Sequence, residues 1–200
     1  MSLSPVEDDD PYLIPGTNVL RNLLGITDRE ELNQAEADLA TLSNRRAVRY
    51  LKGVIGSFQP KHHLEVHRLL FDRVYDWAGQ VRVVYLSKDT SEFLSGPPLI
   101  GLQYQYEQIE ADNRLHADEP RDQVLDALTQ HYSELNYVHP FREGNGRTQR
   151  LIIDALAERC GYQIGWEAVL PNENNRVCII AMNGGGTGEM RDMLGRILTW

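Results

Sequence analysis

Apolar positions recur along the chain at intervals of three and four, the spacing that keeps one side of a helix buried. Leu32, Ala35, Leu39 and Leu42 form such a stripe. Thr27-Asp28-Arg29-Glu30 ahead of them has the form of a capping box, so a helix is expected from Asp28 to about Ser43. A second opens after Pro60, with Leu64, His67, Leu70, Phe71 and Val74 along one side, and Gly79 ends it. Further helices are expected over about 99–115, 121–137 and 149–160, with two weaker ones flanking the glycine-rich Asn183–Gly188, the last finishing at Leu198. Between Gln80 and Phe93 the texture changes. Val81, Val83, Val84, Tyr85 and Leu86 favour extended backbone and Lys88-Asp89-Thr90-Ser91 supplies turn residues, which predicts a hairpin standing outside the helical body. The start of the chain carries Pro5, Pro11, Pro15 and Gly16, so residues 1–26 read as an arm packing on one domain over 27–200, with Glu7-Asp8-Asp9-Asp10 solvated. The expected fold is mainly α, a helical bundle with one β-hairpin.

Composition narrows the function classes. Two hundred residues suffice to bury a core. Acids outnumber bases 29 to 20, a formal charge of −9, which argues against binding nucleic acid by bulk phosphate neutralisation. Apolar runs such as Leu151–Ile153 fall far short of the ~20 residues of a membrane span. The opening MSLSPVEDDD lacks the basic start and apolar run of a secretory signal. Cys160 and Cys178 are too few for a disulfide scaffold or zinc cluster, so no membrane partner and a reducing cytoplasm are the expectation.

One segment differs from the rest: His139-Pro140-Phe141-Arg142-Glu143-Gly144-Asn145-Gly146-Arg147-Thr148-Gln149-Arg150, between two apolar-periodic helices. Pro140 disfavours helical geometry at His139, so the first helix should end there. Gly144 and Gly146 permit positive φ, letting successive amides point inward as an anion nest. Thr148 or its neighbours then begin the next helix, whose positive end faces the same hollow. Arg147 and Arg150 add guanidinium groups suited to phosphate oxygens. Glu143 beside an anion site would repel phosphate unless a hard cation lay between them, and Mg²⁺ fits that task. His139 can be neutral at physiological pH and accept a proton. A base, a metal ligand and a phosphate cradle are the parts of phosphoryl or nucleotidyl transfer.

The segment resembles the Fic signature, H-x-F-x-[D/E]-G-N-G-R-x-x-R, at every specified position. Asp10-Pro11-Tyr12, Leu20-Arg21-Asn22, Leu23-Leu24-Gly25-Ile26, and His67-Arg68-Leu69-Leu70-Phe71 through Trp77-Ala78-Gly79 with Arg82 following are also similar to bacterial Fic toxin proteins. The resemblance implies the Fic fold, with a hairpin flap beside the active-site loop, and an enzyme that moves AMP from ATP to a Ser, Thr or Tyr hydroxyl of a target protein. On that reading His139 is the general base and Phe141 anchors the loop. Glu143 holds Mg²⁺, Gly144, Asn145 and Gly146 line the anion hole, and Arg147 and Arg150 meet the phosphates. The flap residues Val84, Tyr85, Leu86, Ser87 and Lys88 would dock the target by strand addition. Phosphorylating relatives carry lysine at the second glycine; Gly146 keeps the small residue. The resemblance further implies a toxin-like protein whose target is a type IIA topoisomerase subunit such as gyrase. The family's inhibitory pattern, [S/T]-x-x-x-E-[G/N], is approached only by Thr27…Glu31, where Leu32 follows. Restraint is therefore expected from a separate antitoxin protein placing a glutamate against Arg147.

His63 and His67 have an i,i+4 metal spacing but lack a third ligand, and Tyr75 and Trp77 read as core anchors. Arg142 reads as surface or target-contacting, and the glycines of 183–188 as a turn rather than a phosphate loop. The alternative function is a non-catalytic nucleotide-binding or interaction domain, or transfer of another phosphate-containing group. His139, which a mere binder would not need, favours the enzyme.

Overall fold

Helix α1, Arg29–Lys52, sets the frame of the computed structural model, which describes residues 10–54, 56–88 and 91–200. Its cap is Asp28 rather than Thr27: the Asp28 carboxylate accepts from the Glu31 amide at 2.9 Å. The helix runs well past Ser43, and its buried side is Leu32, Glu36, Ala40, Ser43, Ala47 and Leu51. Leu42, expected inside, is 68% exposed. The helix is rotated because Glu36 must face inward, where Tyr75 and Arg147 bond it.

Pro60 occupies the first turn of α2, Pro60–Phe71, where its missing N–H costs nothing. This helix stops short of Gly79. Val74 keeps the apolar spacing but is buried from a turn, and Tyr75 and Trp77 stack there at 4.2 Å between ring centres. Strands β1 (Ser87–Lys88) and β2 (Ser91–Glu92) pair antiparallel, Ser87 opposite Glu92 and Lys88 opposite Ser91. The hairpin is therefore much shorter than its β-forming run, and Val83 and Tyr85 lie exposed ahead of it. Asp89 and Thr90, expected in its turn, lie outside the described residues.

α3 (Pro98–Ala111), α4 (Arg121–Val138) and α5 (Asn145–Arg159) follow, and α4 packs against α3 and α5. Buried residues surround α4 on most sides, from Val124 through Tyr132 to Val138, which makes it the central helix. A short pair missing from the sequence reading, β3 (Gln163–Ile164) with β4 (Leu198–Thr199), ties the region after α5 to the end of the chain. Between them run α6 (Pro171–Ile180), a wide helical turn over Ala181–Gly185, and α7 (Gly188–Ile197). No helix is long and apolar enough to cross a membrane among the described residues.

Ahead of α1, Tyr12 and Val19 are buried, Leu13 bridges Leu20, and Tyr12 meets Trp77 edge-on. Asp10 is not solvated as expected, since its carboxylate pairs with Arg142 at 2.9 Å, a bond that also takes Arg142 out of the open surface. Glu7, Asp8 and Asp9 lie outside the described residues, as does the rest of 1–9.

Candidate active site

The loop between α4 and α5 is built by backbone geometry first. His139 caps α4 in the left-handed region (φ 43°), its amide bonding Leu135 O at 3.2 Å. Gly144 caps α5 with φ 82°, and α5 begins at Asn145, earlier than Thr148. Gly144 alone of the two glycines uses positive φ, for Gly146 is already helical. A Cβ on Gly144 would meet Phe71 Cε2 at 2.4 Å and Cζ at 2.6 Å, so close packing demands glycine as much as the torsion does. Gly144→Ala is expected to lower the melting temperature by several degrees, from strain and overpacking of roughly 1–3 kcal/mol, and to weaken ATP binding by calorimetry. An unchanged melting curve would contradict it.

Asn145 staples the loop to itself: its side-chain amide donates to Phe141 O at 2.8 Å and its oxygen accepts from Phe141 N at 2.9 Å. Phe141 is fully buried, its ring stacked on His67 at 3.7 Å and on His63 at 5.5 Å. His63 and His67 are thus wall residues. Gly79 N donates to His67 Nδ1 at 2.8 Å, so the proton sits on Nε2 and goes to Glu143 O at 2.9 Å. Burial holds both imidazoles neutral, with pKa lowered to about 3.

His139, Glu143, Gly144, Asn145, Gly146, Arg147 and Arg150 all line one cavity of ≈580 Å³. Leu86 and Ser87 of the flap border it too, whereas exposed Val83 and Tyr85 do not. The His139 Nδ1 atom lies 3.1 Å from Asn136 O, which only accepts, so Nδ1 carries the proton and Nε2 the lone pair. The Phe93 ring stacks on this imidazole at 3.7 Å and 22°. The first amides of α5 have no helical carbonyl to bond, and the residues that carry them, Asn145, Gly146 and Arg147, line the same hollow. Glu143 is half exposed; its Oε1 accepts from Gly144 N at 2.8 Å and lies 3.8 Å from Arg147 Nη2. Among the described residues no cluster of three or more His, Cys, Asp or Glu could hold a metal ion. Glu143 as one carboxylate beside phosphate oxygens nevertheless suits Mg²⁺, which takes one or two carboxylates plus substrate oxygens.

Several functional candidates had no motif to announce them. Glu36 binds Arg147 Nη2 and accepts from Tyr75 Oη, and Arg147 also lies 4.7 Å over the Phe71 ring. Buried Asn136 and Gln149 sit in the cavity wall, joined at 3.4 Å, and Asn174, Cys178 and Met182 close its far side from α6 and the wide turn. Amides on an otherwise apolar helix face were the available signal at 136 and 149.

Behind Arg147 and Arg150 lies a second hollow of ≈240 Å³, shared with Thr41 and Asn44 of α1 and with Asp154 and Trp166. Arg150 stands 5.9 Å over the Trp166 ring. Burial raises the Asp154 pKa to about 7, opposed by the Trp166 indole that donates to it and by Arg150. The native state therefore binds the extra proton above the ordinary carboxylate pKa of 3.8, and this group's stabilisation is present below that and lost as pH rises towards 7. Asp154→Asn is expected to flatten the fall of melting temperature between pH 4 and 7 and to exceed the wild type at pH 8. Parallel curves would show that Asp154 does not titrate this way.

The Fic/DOC family model matches residues 57–157, which hold the whole loop. The protein adenylyltransferase VbhT of Bartonella schoenbuchensis is 35% identical over 191 residues, covering 96% of this chain and 39% of its own length. The probable protein adenylyltransferase Fic of Escherichia coli is 32% identical over 170 residues, covering 82% of this chain and 80% of that protein. The chain thus spans well under half of the first relative and most of the second. Among solved structures, the Bartonella quintana Fic domain with bound ADP aligns with TM-score 0.81 and 23% identity over 94% of each chain. BepC of Bartonella tribocorum with bound AMPPNP gives TM-score 0.79 and 21% identity, over 96% of this chain and 98% of that one. At such identity these structures speak to the fold alone, a mainly helical Fic fold as expected. Motif, fold and relatives agree, and the chain belongs to the Fic/DOC family.

Proposed function

We propose that this chain is a protein adenylyltransferase that moves AMP from ATP to a Ser, Thr or Tyr hydroxyl of a target protein. The observation that carries the reading is His139, its Nε2 lone pair set by the Asn136 carbonyl, in the wall of the cavity onto which α5 opens its N-terminus. Nε2 takes the hydroxyl proton as the oxygen attacks the α-phosphorus. The bond from that phosphorus to the bridging oxygen breaks, leaving AMP on the target as a phosphodiester and releasing pyrophosphate. Gly144, Asn145 and Gly146 line the anion hole, where the amides of Asn145 and Gly146 bind the charge that gathers on the phosphate oxygens, and Arg147 and Arg150 hold the triphosphate in line. Glu143 would hold Mg²⁺, which when bound neutralises charge between the α- and β-phosphates. The flap runs through Val84, Tyr85 and Leu86 into β1 at Ser87 and Lys88, and the edge of β1 turned away from β2 is where a target segment would add as a strand.

ATP labelled at the α-phosphate is expected to label a protein band in a bacterial lysate, and ATP labelled at the γ-phosphate is not. Label from γ alone would make the chain a kinase and overturn the reading. The adenylyltransferase names of the relatives support the reaction. The resemblance to toxin-like members supports a type IIA topoisomerase subunit such as gyrase as target, a cytoplasmic site of action and restraint by a small antitoxin. An antitoxin glutamate aimed at Arg147 would have to share or displace Glu36, which already binds it. Purified gyrase subunits offered as acceptors, with and without the antitoxin co-expressed, test both.

A further inference from the structure

Among the described residues no arginine or lysine is buried as deeply as Arg82, at 4% exposure. A buried guanidinium is costly unless its donors are met, and among the described residues no carboxylate forms an ion pair with this one. Three backbone carbonyls meet them instead. Nε donates to His139 O at 2.8 Å, one terminal nitrogen to Val84 O at 2.7 Å, and the other to Leu94 O at 2.6 Å. The Arg82 amide adds a bond to Pro140 O at 2.8 Å.

These partners are not a random set. Val84 and Leu94 bracket the flap on its entering and leaving sides, and His139 is, with Asp118, one of two non-glycine residues among those described whose backbone holds a positive φ. Left-handed backbone is costly for a non-glycine residue and persists only where its surroundings fix it. Arg82 supplies that fixing from the flap side. The leaving strand is also joined to the base directly, since Leu94 N bonds Tyr137 O at 3.0 Å and the Phe93 ring lies on the imidazole.

We propose that Arg82 is a positioning residue that locks the flap in register with His139, so that a segment lying on the flap brings its hydroxyl to the imidazole. The inference rests on the function proposed above for His139 and the flap. A fork of three donors can bridge three carbonyls in one plane, which a lysine ammonium on a single stem cannot do. Flap and base then move as one unit, while Arg82 itself is not among the residues that line the cavity.

The test compares the wild type with Arg82→Lys and Arg82→Ala. In Arg82→Lys the Phe93 and Leu94 amides are expected to exchange with deuterium about tenfold faster, the order set by losing charge-assisted hydrogen bonds. Transfer of α-label from ATP to lysate proteins should fall about tenfold or more, while ATP affinity by calorimetry stays within about twofold. A shift of the His139 ring resonances by NMR should accompany the loss. Arg82 would be an ordinary core residue, and the proposal overturned, if transfer and ATP affinity fell together, if exchange at 93 and 94 were unchanged, or if neither variant folded. A wild type that labels nothing would defeat the proposed function instead, and the exchange and NMR readouts would still decide the role of Arg82.

Discussion

His139→Ala is expected to reduce transfer of labelled AMP by about 10²–10⁴-fold, the range that a positioned general base contributes. Three features converge on this residue. The Asn136 carbonyl fixes the proton on Nδ1, the Phe93 ring fixes the plane of the imidazole, and Arg82 fixes the carbonyl behind it. Alanine deletes the group proposed to take the hydroxyl proton and leaves all three supports in place. The fold should hardly notice, because the ring is only half-buried and the amide bond to Leu135 survives. The melting temperature is thus expected to stay close to wild type, as is ATP affinity. Incorporation of α-label and a melting curve on the same preparation check the pair of outcomes. Undiminished transfer would mean that the base is another group.

The second large effect is on stability. Phe141→Ala is expected to cost about 3–5 kcal/mol, as for other fully buried phenylalanines. In a chain of this size that corresponds to a melting temperature lower by about 6–20 °C. The loss exceeds one ring, since His67 and His63 stack against it and His67 carries the bond to the Glu143 carbonyl. The Asn145 staple to the Phe141 backbone would remain but would hold a loop with a hollow behind it. Phe141→Leu should recover most of the stability. If the alanine variant melted with the wild type, the loop would not be anchored by this ring.

Much of this was legible before any coordinates. Pro140 ends α4 at His139, and the glycines and charged groups of 139–150 share one cavity because local sequence dictates a turn between two helix ends. What stayed hidden has a common cause. Glu36 lies off the expected apolar stripe of its helix, yet it faces inward, because its partners Tyr75 and Arg147 come from elsewhere in the chain. The same long-range pull displaced the apolar stripe of α1 and left Leu42 outside. The run from Val81 to Leu86 favours strand by propensity, but pairing begins only at Ser87, since Arg82 holds the Val84 carbonyl. β3 and β4 are two residues each, too short for any periodicity to register.

Glu36 and Arg147 stand 111 positions apart, and Asp10 and Arg142 132 apart. No early portion of a nascent polypeptide can assemble this pocket, because its supporting carboxylates emerge from the ribosome long before the arginines they hold. A newly made molecule would stay inert through most of translation. Severed between α3 and α4, the two fragments would each be silent, and any activity regained on mixing would report their reassociation.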